Sequence, residues 1–153
     1  MTKKVLVRGP ALTQSGYGEH TRFLLRSLRD HADKFDIFLV AVNWGQTGWL
    51  SGDDEERKWF DELIMKTHIH VRQGGQFDVS IQVSIPNEWE TIAPHNIGVT
   101  AGIETTKVAP AWLERCNMMD KVITISEHSK KSIVESIYEG FHKETNQPLT
   151  LKC

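Results

Sequence analysis

Short apolar runs alternate with amphipathic segments along most of this chain, and that alternation constrains the fold more than any other feature of the sequence. The runs are short enough for strands buried on both faces, and the segments between them place apolar residues three and four positions apart, as helices do. Parallel strands need a crossover connection, which is usually a helix. The order therefore predicts an α/β fold, with a parallel sheet and helices on both faces.

Each predicted element can be placed on the sequence. Strands are predicted at residues 5–7, 35–42, 77–85, 97–101 and 121–125. Helices are predicted after the glycine-containing residues 9–18, over residues 53–67, over residues 110–119 and after Ser126, which suits a helix cap. The 153 residues fit a single domain.

Composition excludes several classes of partner. The 18 basic and 20 acidic residues leave a net charge of -2, without the basic field of a nucleic-acid-binding protein, so no nucleic-acid partner is predicted. No apolar run approaches the roughly 20 residues that span a bilayer, and the first residues lack a signal-peptide pattern. We therefore expect a cytoplasmic protein with no transmembrane segment.

The cysteines and paired histidines do not predict a metal site. Cys116 and Cys153 have neither the number nor the spacing of a disulfide framework or a zinc site. His68 and His70 would share a face in an extended segment, but no third ligand is evident. We predict no bound metal.

A glycine-containing loop precedes the first predicted helix. Backbone N–H groups of such a loop and the positive end of the helix dipole can hold a phosphate, although an ordinary strand-to-helix turn has the same composition. A dinucleotide-binding loop would carry a third glycine where Thr21 stands. A nicotinamide enzyme would also need an acidic residue where Asn43 ends the second strand, so an oxidoreductase is the weakest of three interpretations.

One carboxylate, Glu104, follows the fourth predicted strand, at the edge where open α/β sheets bind ligands. A carboxylate there can accept hydrogen bonds from sugar hydroxyls or take part in proton transfer, and a solvated loop glutamate is the alternative. Four segments around it form a wider pattern: IPNEW at residues 85–89, NIGVTAGIETT at 96–106, WLERCNMMD at 112–120 and SEHSKK at 126–131. Together they resemble the N-terminal, acceptor-side half of family 4-type glycosyltransferases of the GT-B architecture, over roughly residues 4–135.

The resemblance implies a site at the strand ends. Gly16, Tyr17 and Gly18 match the family's loop that faces the donor diphosphate and the acceptor. Many related enzymes carry a histidine where this chain has Glu104, which we therefore assign to the site and not to a reaction step. The substrate cleft is expected to include a further set of residues: Glu19, His20, Glu88, Trp89, Thr105, Ser126 and His128.

Two of these cleft residues have structural alternatives. Trp89 would equally serve as an apolar ring packed over the edge of the sheet. Ser126 would equally serve as a helix cap, and no nucleophile motif surrounds it.

The resemblance also implies domain organisation and chemistry. It makes residues 1–138 a Rossmann-like GT-B N-terminal domain and 139–153 a poorly structured tail, with the C-terminal donor-binding domain absent from these 153 residues. The implied enzyme is retaining and metal-independent, has no tightly bound cofactor, and uses a nucleotide-sugar as co-substrate and a sugar, lipid or protein as acceptor.

A helix N-terminus contributes about 0.3–2 kcal/mol, against barrier reductions of about 8–23 kcal/mol in enzymes. We therefore expect little activity without a second domain or partner chain. The alternative is a non-catalytic Rossmann-like module that binds a sugar or a protein.

Overall fold

A sheet of five parallel strands forms the centre of the computed structural model, which describes residues 2–153. The strands are β1 (Lys3–Gly9), β2 (Phe35–Ala41), β3 (Val79–Val83), β4 (His95–Thr100) and β5 (Lys121–Thr124). They lie in the order β2-β1-β3-β4-β5, and every neighbouring pair is parallel. The predicted α/β class with a Rossmann-like parallel sheet is confirmed.

Four α-helices connect and flank the strands. They are α1 (Gly16–Arg29), α2 (Glu55–Arg72), α3 (Pro110–Asn117) and α4 (Glu127–Val134), and a 3₁₀ turn covers Pro86–Glu88. The side chains of Ser15, Asp54 and Ser126 cap α1, α2 and α4 by accepting hydrogen bonds from first-turn N–H groups, which would otherwise be unsatisfied. No helix within residues 2–153 is both long enough and apolar enough to cross a membrane.

Helix α2 is longer than predicted and includes both paired histidines. It continues to Arg72 and ends before Gly74, whose positive φ of 74° suits a helix terminus. The extended geometry under which His68 and His70 would share a face is therefore not present, because residues two apart on a helix point in different directions.

Two apolar clusters cover the two faces of the sheet. The first joins Val5 and Val7 of β1 to Leu25 and Leu28 of α1, together with residues of β2, β3, β4 and α2. In the second, Trp89 covers Gly98 of β4, which alternates with Val99 and so faces the opposite side. That cluster also contains residues of α3 and α4, so helices lie on both faces.

Helix α2 also covers the free edge of β2. The backbone N–H of Leu39 donates to Thr67 Oγ1 at 2.8 Å, and Lys66 Nζ donates to the Ile37 carbonyl oxygen at 2.9 Å. These side chains satisfy edge groups that would otherwise be available to pair with another strand.

The segment 139–153, predicted to be a poorly structured tail, takes part in an antiparallel hairpin instead. Its strands are β6 (Tyr138–Phe141) and β7 (Pro148–Leu151). Tyr138 and Leu151 pack against the second cluster, and Asn117 Nδ2 donates to the Lys152 carbonyl oxygen at 2.8 Å. The prediction was wrong because most residues of the hairpin are exposed and polar, and only these few long-range contacts order them.

Candidate functional site

The carboxyl ends of the strands form the candidate site. Strand β2 lies on one side of β1, whereas β3, β4 and β5 lie on the other side, so the direction of strand order reverses next to β1. Open α/β sheets bind ligands outside the carboxyl ends of the strands, where this reversal occurs. We call this edge the rim and define it as residues 10–18, Trp44, residues 100–107 and residues 126–129.

The hydroxyl of Tyr17 connects two parts of the rim. It lies 3.0 Å from Thr100 Oγ1 and accepts a hydrogen bond from the Ala101 N–H at 3.1 Å. The ring of Trp44, just after β2, packs on the Tyr17 ring with centroids 4.4 Å apart. The first turn of α1 is thereby held against the end of β4, next to the loop that contains Glu104. Neither Trp44 nor Thr100 was predicted as a site residue, although each follows or ends an apolar run.

The two glycines at the start of α1 have different roles. A Cβ on Gly18 would lie 2.3 Å from the Thr13 carbonyl oxygen, and the Gly18 N–H already donates to the cap Ser15 Oγ at 2.9 Å. Gly18 is therefore needed for close packing. Gly16 is exposed, a Cβ there would have no neighbouring atom within 4 Å, and within residues 2–153 the N–H groups of Gly16 and Tyr17 have no acceptor. These two amides are the ones available to an anion.

Replacing each glycine with alanine separates these roles. Gly18→Ala is expected to lower the free energy of unfolding by about 1–3 kcal/mol, because the new methyl group meets a backbone carbonyl that cannot easily move. Gly16→Ala is expected to change it by less than about 1 kcal/mol, in the stabilising direction, because the space is open and alanine favours a helix. Urea unfolding of both variants measures the difference, and equal losses would contradict this assignment.

A buried arginine stabilises the loop that precedes α1. Arg22 is 6% exposed and donates from one guanidinium nitrogen to the carbonyl oxygens of Ala11 at 2.8 Å and Thr13 at 2.9 Å. Its other nitrogens donate to Glu19 Oε2 at 3.0 and 2.8 Å, and Arg26 donates to Glu19 Oε1 at 3.1 Å. The Arg22 hydrogen bond is the main cause of a lowered pKa for the Glu19 carboxyl. Glu19 therefore belongs to this network on α1, and its side chain remains 46% exposed, so its place in the substrate cleft stays a prediction.

Arg22→Ala is expected to lower the free energy of unfolding by about 1.5–3 kcal/mol, because two loop carbonyls lose hydrogen bonds from a charged donor. Arg26→Ala is the matched control on the same helix. Arg26 pairs with Glu19 and Glu56 through side chains that are 28–46% exposed, so its loss is expected to cost about 1 kcal/mol or less. Urea unfolding of the two variants compares them, and an Arg26→Ala loss equal to that of Arg22→Ala would remove the special role of Arg22.

The start of α4 fixes the loop that follows β4. Ser129 Oγ donates to the Ala101 carbonyl oxygen at 2.7 Å and lies 2.9 Å from Ser126 Oγ. Gly102 has a positive φ of 82°, and a Cβ there would lie 2.5 Å from Ser129 Cβ. Only glycine fits this turn without strain. Ser126 is thus both the predicted helix cap and a part of the rim, through its contact with Ser129.

The remaining polar residues predicted for the cleft lie around this loop or near it. Glu104 is exposed and has no side-chain hydrogen bond to any of residues 2–153. Thr105 Oγ1 donates to the Lys107 carbonyl oxygen at 3.0 Å. His128 is exposed on the first turn of α4, and His20 is half-buried on α1. The rim therefore presents the unpaired carboxylate of Glu104 on the loop after β4, beside two helix N-termini.

The predicted cleft position of Trp89 is wrong. Its ring is fully buried against Gly98, as the structural alternative required. Glu88 is exposed, and its carbonyl oxygen accepts a hydrogen bond from Arg8 at 3.0 Å, which ties the 3₁₀ turn to β1. A glycine in the middle of β4 was the signal in the sequence that a large ring would pack there.

A cavity lies at the other end of the sheet. It has a volume of about 550 Å³ and includes Lys4 and Asp36, which are paired near the starts of β1 and β2. Met65, Lys66 and His70 of α2 form part of its wall. None of the rim residues contributes to it.

Among residues 2–153 no group of three or more histidine, cysteine, aspartate or glutamate side chains is placed to hold a metal ion. Comparison of the chain with protein-family models, with curated proteins and with solved structures finds no match. A function for the chain is therefore inferred from the geometry of the rim and from the resemblance of the sequence segments that form it.

Proposed function

We propose that this chain is the N-terminal, acceptor-side domain of a GT-B glycosyltransferase of the family 4 type, which transfers a sugar from a nucleotide-sugar to an acceptor. One observation carries the proposal. The Tyr17 hydroxyl joins the glycine loop to the end of β4, so two segments that the resemblance places in the site meet at one edge of the sheet.

The rim has groups suited to both parts of a nucleotide-sugar, the diphosphate and the sugar. The free N–H groups of Gly16 and Tyr17 lie at the positive end of α1 and can donate to phosphate oxygens. The carboxylate of Glu104 can accept hydrogen bonds from the hydroxyl groups of a sugar. The amides belong to the turn that contains Tyr17, and Glu104 follows Ala101 by three residues, so the Tyr17–Ala101 contact joins the two segments that carry these groups.

An open rim alone provides only part of the stabilisation that transfer requires. A helix N-terminus contributes about 0.3–2 kcal/mol, which is small beside the roughly 8–23 kcal/mol by which enzymes lower barriers. In the proposed function a second, donor-binding domain or a partner chain covers the rim and supplies the rest. Closure of the two surfaces would also exclude water from the leaving diphosphate.

A non-catalytic Rossmann-like module that binds a sugar or a protein is the second candidate. The observation that favours it is the position of Glu104, an unpaired carboxylate on an exposed loop. Such a surface can bind a ligand without performing chemistry on it.

The test is a panel of nucleotide-sugars assayed for hydrolysis and transfer with two proteins, the 153-residue chain and the longest polypeptide that its gene encodes. We expect the longest polypeptide to consume at least one donor and the 153-residue chain to consume little or none. Binding of a sugar without turnover of any donor by the longest polypeptide would support the module. Full activity of the 153-residue chain would contradict the need for a covering domain.

A further inference from the structure

Two cysteines that are far apart in the sequence lie together in the fold. Cys116 is in α3 and is buried in the second cluster, whereas Cys153 is exposed just after β7. Two contacts bring them close. Leu151 packs against the cluster that contains Cys116, and Asn117 Nδ2 donates to the Lys152 carbonyl oxygen at 2.8 Å. Asn117 follows Cys116 directly in the sequence, and Leu151 and Lys152 are the two residues before Cys153.

The two thiols also share their surroundings. Ile133 belongs to the cluster around Cys116 and also lines a small cavity beside Cys153, and Val122 does the same from β5. Burial is the main cause that raises the pKa of the Cys116 thiol to about 12, and the Cys153 side chain adds to this shift. One thiol is thus open to reagents in solution, and the other is buried in the adjoining cluster.

We propose that Cys116 and Cys153 form a redox modification site, which closes to an intramolecular disulfide by exchange with a low-molecular-weight disulfide such as oxidised glutathione. The site is separate from the rim, and the inference does not depend on the proposed function. In a reducing compartment such a disulfide would be transient, as intracellular disulfides usually are.

The exposed thiol reacts first. Cys153 loses its proton to water, and its thiolate attacks one sulfur of oxidised glutathione, which breaks that S–S bond and releases one glutathione thiolate. Cys116 then loses its proton and attacks the Cys153 sulfur of the mixed disulfide. The Cys116–Cys153 bond forms, and the second glutathione leaves as a thiolate. In total, oxidised glutathione is reduced to two glutathione thiols, and the two protein thiols are oxidised to one disulfide.

Oxidation would fix the hairpin β6–β7 to α3. The hairpin already contacts the segment between the rim and α3, because the Tyr138 hydroxyl donates to the Val108 carbonyl oxygen at 2.7 Å. A covalent link would therefore restrain the loop before α3 as well as the hairpin itself. Because a disulfide restricts the unfolded chain, we expect oxidation to raise the melting temperature by at least about 5 °C.

The experiment treats the 153-residue chain with oxidised glutathione and measures intact mass, with peptide mapping under non-reducing conditions. The wild type is expected to lose the mass of two hydrogen atoms, to remain a monomer and to yield a peptide that joins Cys116 to Cys153. Reduction with dithiothreitol should restore the original mass and melting temperature.

Two variants serve as controls. Cys116→Ser should stop at one bound glutathione on Cys153, and Cys153→Ser should take up none, because Cys116 is buried. The proposal would be overturned if the wild type stopped at the glutathione adduct, or if it formed only dimers joined through Cys153. Circular dichroism of the reduced proteins verifies that each variant is folded.

Discussion

Replacing Trp89 with alanine is expected to lower the free energy of unfolding by about 3–5 kcal/mol, because the substitution leaves a cavity in the second cluster. The ring is fully buried and lies directly on Gly98 of β4, on one face of the sheet. Its neighbours are strands and helices that cannot easily close a space of this size. Urea unfolding followed by circular dichroism measures the loss.

Two further variants make this result specific. Trp89→Phe should cost less, because it keeps an aromatic ring and because Trp89 Nε1 has no hydrogen-bond partner among residues 2–153. Trp49→Ala removes a ring that is half exposed and should change stability by about 1 kcal/mol or less. If Trp89→Ala cost no more than Trp49→Ala, the ring would not be the centre of the second cluster.

Local sequence signals were sufficient to predict the sheet and helices. Each strand is a short apolar run that ends at a polar or small residue, and the caps Ser15 and Ser126 lie directly before α1 and α4. Such signals involve residues close together in the sequence, so they do not require knowledge of the tertiary structure. The helix boundary at Arg72 was less accurate, because the residues after position 67 have no strong stop signal before Gly74.

The roles of individual site residues depended on contacts between distant segments. Gly16 and Gly18 cannot be distinguished by residue type, and only the Thr13 carbonyl oxygen shows which of them packing requires. Trp89 was assigned to the cleft because it follows a strand, whereas its burial depends on Gly98 in the next strand. The two hydrogen bonds from Arg22 to the Ala11 and Thr13 carbonyl oxygens likewise depend on how the loop folds back on α1.

Under the proposed function, Glu104→Gln in the longest polypeptide is expected to lower kcat/KM for sugar transfer at least about tenfold, which corresponds to about 1.4 kcal/mol of lost transition-state stabilisation. Glutamine keeps the size of the side chain and removes its charge. Because Glu104 is exposed and has no hydrogen-bond partner among residues 2–153, stability should change by no more than about 0.5 kcal/mol. A loss of activity would therefore reflect the ligand and not the fold.

The matched control is at the opposite end of the sheet. Met65 is exposed on α2 and lines the cavity at the amino ends of the strands, a concave surface that is separate from the rim. Met65→Ala removes most of the side chain without changing any charge. It is expected to leave kcat/KM within about twofold of wild type, because the proposed reaction does not use that cavity.

The most direct test of the rim as the working surface is to measure kcat/KM for sugar transfer by Glu104→Gln and Met65→Ala side by side, with the donor identified by the nucleotide-sugar panel. A working rim predicts at least about a tenfold loss for Glu104→Gln and a nearly unchanged rate for Met65→Ala. A wild-type rate for Glu104→Gln together with a large loss for Met65→Ala would contradict it, and would place the working surface at the amino ends of the strands.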